Sequence, residues 1–340
     1  MIMTEDRILG VAVVGLGVGE QHARAFGSHP ACRMRTLCDL DTTRAESLAA
    51  AFPGCGVSRH FEEVIGRSDV DIVSIASYDH MHAEQVCAAL DAGKHVFVEK
   101  PICTKLEELR RIKAGWLASD GRLKLRSNLV LRGAPLYVWL RERLRDGHFG
   151  KIYAFDGDYL YGRLHKITHG WRRNIADYSV MEGGGIHLID LLLWLTAARP
   201  THVFARGNRI CTEAANLPFN DFAAASLEFD SGLIARITAN FGCVHRHQHV
   251  LRVFGTDATF LYDDQGPRLH ASRDSDRRSE QLAYDPLPAT KGVLIPEFVR
   301  SVLNNSSDQS ETQSFFDGIS VCVAADRSAA TGNRERIDYV

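Results

Sequence analysis

Three shortages in the sequence narrow its class before any motif is considered. Its eight cysteines, at positions 32, 38, 55, 87, 103, 211, 243 and 322, include no C-x-x-C pair and no close cluster. That scatter argues against a disulfide framework or a thiolate zinc site and suits reduced thiols. Charge of either sign is barely in excess, at a formal net of -2, which removes the electrostatic case for nucleic acid or an anionic membrane as partner. Long apolar runs are missing as well. The most apolar segment, Leu188 to Ala198, is too short to span a bilayer and carries Asp190. The opening MIMTEDRILG lacks the charged-then-apolar profile of a secretory signal. The expectation is a soluble cytoplasmic protein that acts on a small molecule.

What is present suits a globular enzyme. A length of 340 residues accommodates two domains, and 45% hydrophobic with 24% charged residues is ordinary globular composition. Ile8–Val14, Arg33–Cys38, Asp71–Ala76 and Val96–Val98 read as apolar, buried strands. Helical stretches alternate with them: Thr42 or Thr43 can cap one, Gly93 can close another in the left-handed conformation, and Thr104-Lys105-Leu106-Glu107 reads as a capping box. Such alternation forces parallel pairing with helices on both faces, a doubly wound α/β sheet, assigned here to residues 1–127.

From residue 128 to 340 the texture changes. KIYAFDGDYLYG, THVFARGN, FAAASLEF, GLIARITANFG and HVLRVFGT are strand-like and separated by short turns. They predict an α+β domain built on a large open antiparallel sheet. Small and apolar residues on alternate positions of GLIARITANFG and FAAASLEF suggest a broad apolar face, hence a homodimer or homotetramer. Asp263–Glu280 and Asn304–Ser314 read as exposed polar loops.

Chemistry concentrates at the strand ends. Gly15-Leu16-Gly17-Val18-Gly19 lies between a strand and a helix, the context in which glycines let a backbone approach a pyrophosphate on a helix N-terminus. A strict G-x-G-x-x-G would need glycine where Glu20 stands, so the turn is read as one residue shorter. Asp39, at the end of the second strand, can accept hydrogen bonds from the adenosine ribose. Its carboxylate, reinforced by Asp41, would repel a ribose 2′-phosphate, which favours NAD over NADP. The strand HVFV then ends in Glu99-Lys100-Pro101. Proline cannot donate to the ladder, and two opposite charges at a buried strand tip are costly unless they serve a ligand there.

GLGVGEQHA, SYDHMHAEQVCAALDAGKHVFVEKP and GGGIHLIDLLLWL together resemble the Gfo/Idh/MocA oxidoreductases over nearly the whole chain. The resemblance implies a Rossmann domain followed by the open-sheet domain, and NAD-dependent hydride transfer to or from a hydroxyl or keto group of a sugar, inositol or nucleotide-linked sugar. It implies that Gly15, Gly17, Val18, Gly19, Asp39, Ser77, His80, His82, Glu99 and Lys100 contact the cofactor, and that Arg132 lies close to it. Lys100 would touch both nicotinamide and the reacting oxygen. Partial desolvation beside a cation lowers a lysine pKa, which prepares it to pass a proton near neutral pH. Two other readings stay open: a glycosidase that oxidises its substrate transiently with bound NAD, and a non-catalytic dinucleotide-binding regulator.

The family pattern Asp-x-Gly-x-His becomes Gly183-Gly184-Gly185-Ile186-His187 here, so the aspartate position is Gly183. His187 remains as a catalytic and substrate-facing candidate. Asp190, three residues on, could orient its imidazole, and Glu182 could replace the missing acid. Tyr161, Lys166, Trp171 and Arg172 in DYLYGRLHKITHGWRR combine rings that stack on sugars with cations, and ordinary sheet packing would also use alternating tyrosines. His245, His247 and His249 alternate and are expected on one strand face, where an interface or solvent-facing role outweighs metal binding.

Overall fold

The computed structural model describes residues 7–305 and 309–340. The chain divides into two compact units. One comprises the residues up to 133 together with 288–316 and 340; the other comprises 134–287 and 317–339. The boundary expected at 127 therefore falls at 133, and a later segment returns to the first unit. The return is driven by the helix Ile295–Leu303. Its Ile295, Phe298, Val299 and Val302 are all buried with Leu9, Val11, Phe26 and Phe97 in one core, and Phe298 packs on Phe97 at a ring-centre distance of 5.4 Å. Their spacing makes one apolar helix stripe, but a stripe does not say which core it will join.

The first unit holds a six-stranded sheet in the order β3-β2-β1-β4-β5-β6. Its strands are β1 (Leu9–Val14), β2 (Cys32–Cys38), β3 (Gly56–Ser58), β4 (Ile72–Ile75), β5 (His95–Val98) and β6 (Leu125–Ser127). Every pairing is parallel. β1 and β4 are buried along their whole length, as expected where helices cover both faces. The order reverses at β1, so the loops after β1 and β4 open the crevice where ligands of such sheets bind. Two caps differ from expectation. Asp41, rather than a threonine, caps the helix Thr42–Ala49 and accepts from the Arg44 amide at 3.1 Å. Lys105 precedes the helix Leu106–Ala118, and the carboxylate reaching back is that of Glu108, which accepts from the Thr104 amide at 3.1 Å. Gly93 does adopt a left-handed φ of 73°.

The second unit carries a nine-stranded sheet, β14-β13-β12-β11-β7-β10-β9-β8-β15. These are β7 (Ile152–Leu160), β8 (His202–Asn208), β9 (Phe222–Glu228), β10 (Ile234–Asn240), β11 (Gln248–Gly255), β12 (Thr259–Asp263), β13 (Gly266–His270), β14 (Glu280–Gln281) and β15 (Glu335–Arg336). All neighbours are antiparallel except β7 and β10, which run parallel, so the sheet is mixed. The expected loop over 263–280 contains β13, which folds back on β12 at Gly266 with φ 84°. The expected loop over 304–314 is helical from 309, where the helix Gln309–Thr331 begins; 306–308 lie outside the described residues.

The helix Ile186–Thr196 is nearly all buried and covers one face of this sheet. It approaches Gly157 of β7 closely: a Cβ there would stand 3.2 Å from the Leu188 Cβ. Ala235, Ile237 and Ala239 of β10 and Ala223, Ala225 and Leu227 of β9 face inward and are buried. The small and apolar alternation therefore belongs to the covered face, which corrects the reasoning behind the apolar outer surface. The outward positions carry Arg236–Asp156 and Arg252–Asp158 pairs, each at 3.1 Å, beside half-exposed Tyr153, Phe204 and Ile234.

Candidate active site

In the first unit the glycine turn is dictated by close packing. Gly15 has φ 80°, and a Cβ there would fall 2.4 Å from the Ala76 carbonyl oxygen, so only glycine fits. Gly19 opens the nine-residue helix Gly19–Gly27, and its Cβ would press on Val13 Cγ1 at 3.0 Å and Ala76 Cβ at 3.2 Å. Gly19 thus meets the helix–sheet packing requirement one residue earlier than the strict motif places it. Gly17 has nothing within 4 Å of a would-be Cβ. Open space above a bare backbone, at a helix start with no side-chain cap at Val18, is what a pyrophosphate needs.

Asp39 follows β2 and does something the sequence did not reveal. One carboxylate oxygen accepts from the Leu16 amide at 2.5 Å and the other from the Asp41 amide at 2.8 Å. The Gly15 amide donates to the Cys38 carbonyl at 2.8 Å. The acid thus locks the glycine turn to the tip of β2, and each of its oxygens keeps a lone pair for a further donor. The residues present fit a dinucleotide.

The charged tip of β5 is held by a buried polar network. Glu99 Oε1 accepts from Asn128 Nδ2 at 2.7 Å and lies 3.2 Å from His22 Nε2. His22 is fully buried, with Nδ1 3.0 Å from the Ser74 hydroxyl. Burial alone would raise the Glu99 pKa. The hydrogen bond and charge of His22, the charge of Lys100 and the Asn128 bond outweigh it and pull the carboxyl down to about 2. Glu99 is thus a fixed anion beside partly buried Lys100. Neither His22, one residue in a helical GEQHARAF, nor Asn128, after a three-residue strand, carried a sequence signal; tertiary contact alone brings them to Glu99.

The other residues expected at the cofactor make the following contacts. Ser77 donates to Gln85 Oε1 at 2.6 Å. His82 is fully buried, with Nδ1 2.7 Å from the Pro101 carbonyl and Nε2 3.2 Å from the Ser77 carbonyl. It ties the segment after β4 to the segment after β5, although a neutral ring can donate to only one of the two. His80 is exposed and stacks on Tyr78. Arg132 is buried; it donates to the Ser314 hydroxyl at 2.9 Å and stands over the Phe315 ring.

In the second unit a π-helical turn, Met181–Gly185, leads into the helix Ile186–Thr196. Gly184 is sterically required, since a Cβ there would stand 2.3 Å from Tyr159 Cε1, whereas one on Gly185 would meet only Met181 Sδ at 2.3 Å, which a flexible side chain can vacate. His187 is buried at 8% exposure, stacked on Tyr159 at 6.0 Å between ring centres and edge-on to His249 at 5.4 Å. Asp190 and Glu182 are buried on the same segment. Tyr161 stacks on Tyr159 at 5.8 Å. The Arg172 guanidinium lies over Trp171 at 4.6 Å, and Trp171 meets Tyr178 edge-on at 6.4 Å. Tyr178 and Phe241 link these groups into one aromatic wall. Lys166 is exposed on the short turn His165–Thr168. The three alternating histidines separate: His247 and His249 pack on Tyr159, whereas His245 precedes β11 and pairs with Asp264 at 3.0 Å. Among the described residues no group of three His, Cys, Asp or Glu side chains could hold a metal ion.

Residues 9–121 match the model of the oxidoreductase family with NAD-binding Rossmann fold, and residues 137–261 match that of the GFO/IDH/MocA C-terminal domain. The chain belongs to the Gfo/Idh/MocA oxidoreductase family. Its first unit is that family's NAD-binding domain. An inositol 2-dehydrogenase of Acidothermus cellulolyticus is 26% identical over 332 residues, 96% of this chain and 93% of that protein. The uncharacterized oxidoreductase YrbE of Bacillus subtilis is 26% identical over 276 residues, 78% of this chain and 76% of that protein. The fold matches a solved levoglucosan dehydrogenase in complex with NADH and levoglucosan at a TM-score of 0.85, with 21% identity, 98% of this chain and all of that one covered. It also matches myo-inositol 2-dehydrogenase of Lactobacillus plantarum at 0.83, with 20% identity over 98% of this chain and 100% of that chain. At those identities the likeness speaks for the fold. No helix among the described residues is long and apolar enough to cross a membrane.

Proposed function

We propose that this oxidoreductase uses NAD in preference to NADP and acts on a secondary hydroxyl or the matching ketone of a cyclic polyol or sugar. The observation that carries the reading is the tip of β5, where Lys100 follows an acid that three groups, His22, Asn128 and Lys100 itself, hold as an anion. A strand tip invested with that much fixed charge suits a lysine that polarises a substrate oxygen by donating to it. Bound NAD would supply the hydride acceptor. Lys100 polarises the reacting oxygen, and His187 takes up or returns the hydroxyl proton. The Tyr161 and Trp171 rings offer flat apolar faces to the C–H side of a sugar ring, and Arg172 can orient a polar substituent.

The inositol and levoglucosan dehydrogenases among the relatives support a cyclic polyol. For the cofactor, Asp39 places a full negative charge beside the glycine turn, where a ribose 2′-phosphate would be repelled. The test is to incubate the purified protein with NAD or NADP and a panel including myo-inositol and levoglucosan, and to follow reduced nicotinamide by absorbance. Accumulation of NADH with one or more of these polyols is the expected result. Cofactor that is bound but never reduced by any sugar would overturn the reading.

A further inference from the structure

The glycine that replaces the expected acid is not an empty position. A Cβ on Gly183 would lie 2.0 Å from the Tyr178 hydroxyl oxygen and 2.8 Å from its Cζ. The phenol therefore fills the space through which an aspartate side chain would leave the backbone, one turn before His187. Tyr178 is itself buried at 8% exposure. Phe219 holds its ring edge-on at 5.2 Å, Phe241 at 6.3 Å and Trp171 at 6.4 Å, and the Arg172 guanidinium stands 5.7 Å from its centre. A ring fixed on so many sides cannot swing away to admit a carboxylate, so this fold accepts the acid or the tyrosine at that place and not both.

We infer that Tyr178 takes over the missing acid's part: its hydroxyl is the polar group that works beside His187 and positions a substrate oxygen against the imidazole. The exchange changes the chemistry. A carboxylate only accepts hydrogen bonds and would hold an imidazolium by charge, whereas a phenol both donates and accepts. It can donate to the substrate oxygen while leaving His187 as the group at this turn whose ionisation shapes the rate. This inference rests on the reading of His187 given above. It also explains the first glycine of the run, because any side chain at 183 would displace the hydroxyl.

Three variants of the full chain test it: Tyr178→Phe, Gly183→Asp, and Gly183→Asp combined with Tyr178→Ala. Tyr178→Phe keeps the ring and its contacts. It should lower kcat/KM on the polyol that the panel identifies by about tenfold, the scale of one lost hydrogen bond. Thermal midpoint and NAD affinity should stay unchanged. Gly183→Asp alone should lose activity, and adding Tyr178→Ala should restore part of it with a new acid limb in the pH–rate profile from the carboxylate. Tyr178→Phe with kcat, KM and pH profile all within twofold of wild type would overturn the inference. If the wild type oxidises nothing in the panel, the proposed function fails, and Tyr178 is judged on calorimetric binding of myo-inositol to the NAD-loaded protein. A tenfold weaker Tyr178→Phe then supports its role, whereas equal affinity, or no binding by the wild type, removes it.

Discussion

Glu99→Gln is the most informative single perturbation of the first unit. The substitution keeps the shape of the side chain and removes its charge. In the folded protein the Glu99 carboxyl titrates at about 2, against an ordinary value of 4.5. A difference of roughly 2.5 units corresponds to roughly 3–4 kcal/mol at about 1.4 kcal/mol per unit, of which an uncharged amide that keeps part of the hydrogen bonding would forfeit the larger share. The side chain is only 14% exposed, so solvent screening takes away little of it. The sign follows from linkage: a depressed carboxyl pKa stabilises the fold fully above the unfolded value, and the contribution fades as pH falls from about 4.5 toward 2. Glu99→Gln should therefore cost roughly 2–3 kcal/mol at pH 7. The gap to wild type should shrink steadily below about pH 4.5. Urea unfolding of both proteins at pH 7, 5, 4 and 3.5, followed through the transition of the first unit, measures it. Equal stability at pH 7, or a gap that does not change with pH, would show that the His22–Glu99–Asn128 network does not hold the carboxylate as argued.

Other expectations follow from the same geometry. Lys100→Ala should lower turnover by about 10²–10⁴-fold, the usual scale for a positioned acid–base group, with NAD affinity little changed; near-normal turnover on an identified substrate would make the charged strand tip structural. Asp39→Ala should narrow the preference for NAD over NADP, and NAD itself should bind more weakly because the Leu16 and Asp41 amides lose their acceptor; titrations with both cofactors measure this, and an unaltered NAD affinity would contradict the locking role. Gly184→Ala should destabilise the second unit by about 1–3 kcal/mol, since the new methyl meets the Tyr159 ring; an unchanged thermal midpoint would mean that the π-helical turn can yield. With the small-residue alternation turned inward, a homodimer or homotetramer at micromolar concentration rests on the half-exposed Tyr153, Phe204 and Ile234 of the outward sheet face, and light scattering that shows monomer alone would refute it.

The sequence by itself determined the type of each half of the chain and marked the residues at which the chemistry is proposed. Strand–helix alternation, glycines 15, 17 and 19, the acid at 39 and the Glu-Lys-Pro stop are local patterns. Each is legible because the physics behind it, from periodicity to a turn that only glycine can make, acts over a few neighbouring residues. Only the tertiary structure decided what those residues touch. It sent residues 288–316 back to the first unit, because an apolar helix stripe does not specify its core. It surrounded Glu99 with His22 and Asn128 from distant segments. It turned the apolar alternation of β9 and β10 inward, because the sign of a two-residue period depends on which face a helix covers. At Gly183 the sequence recorded only an absent acid. The folded chain put the Tyr178 hydroxyl there, through ring packing between segments that no short-range pattern can join.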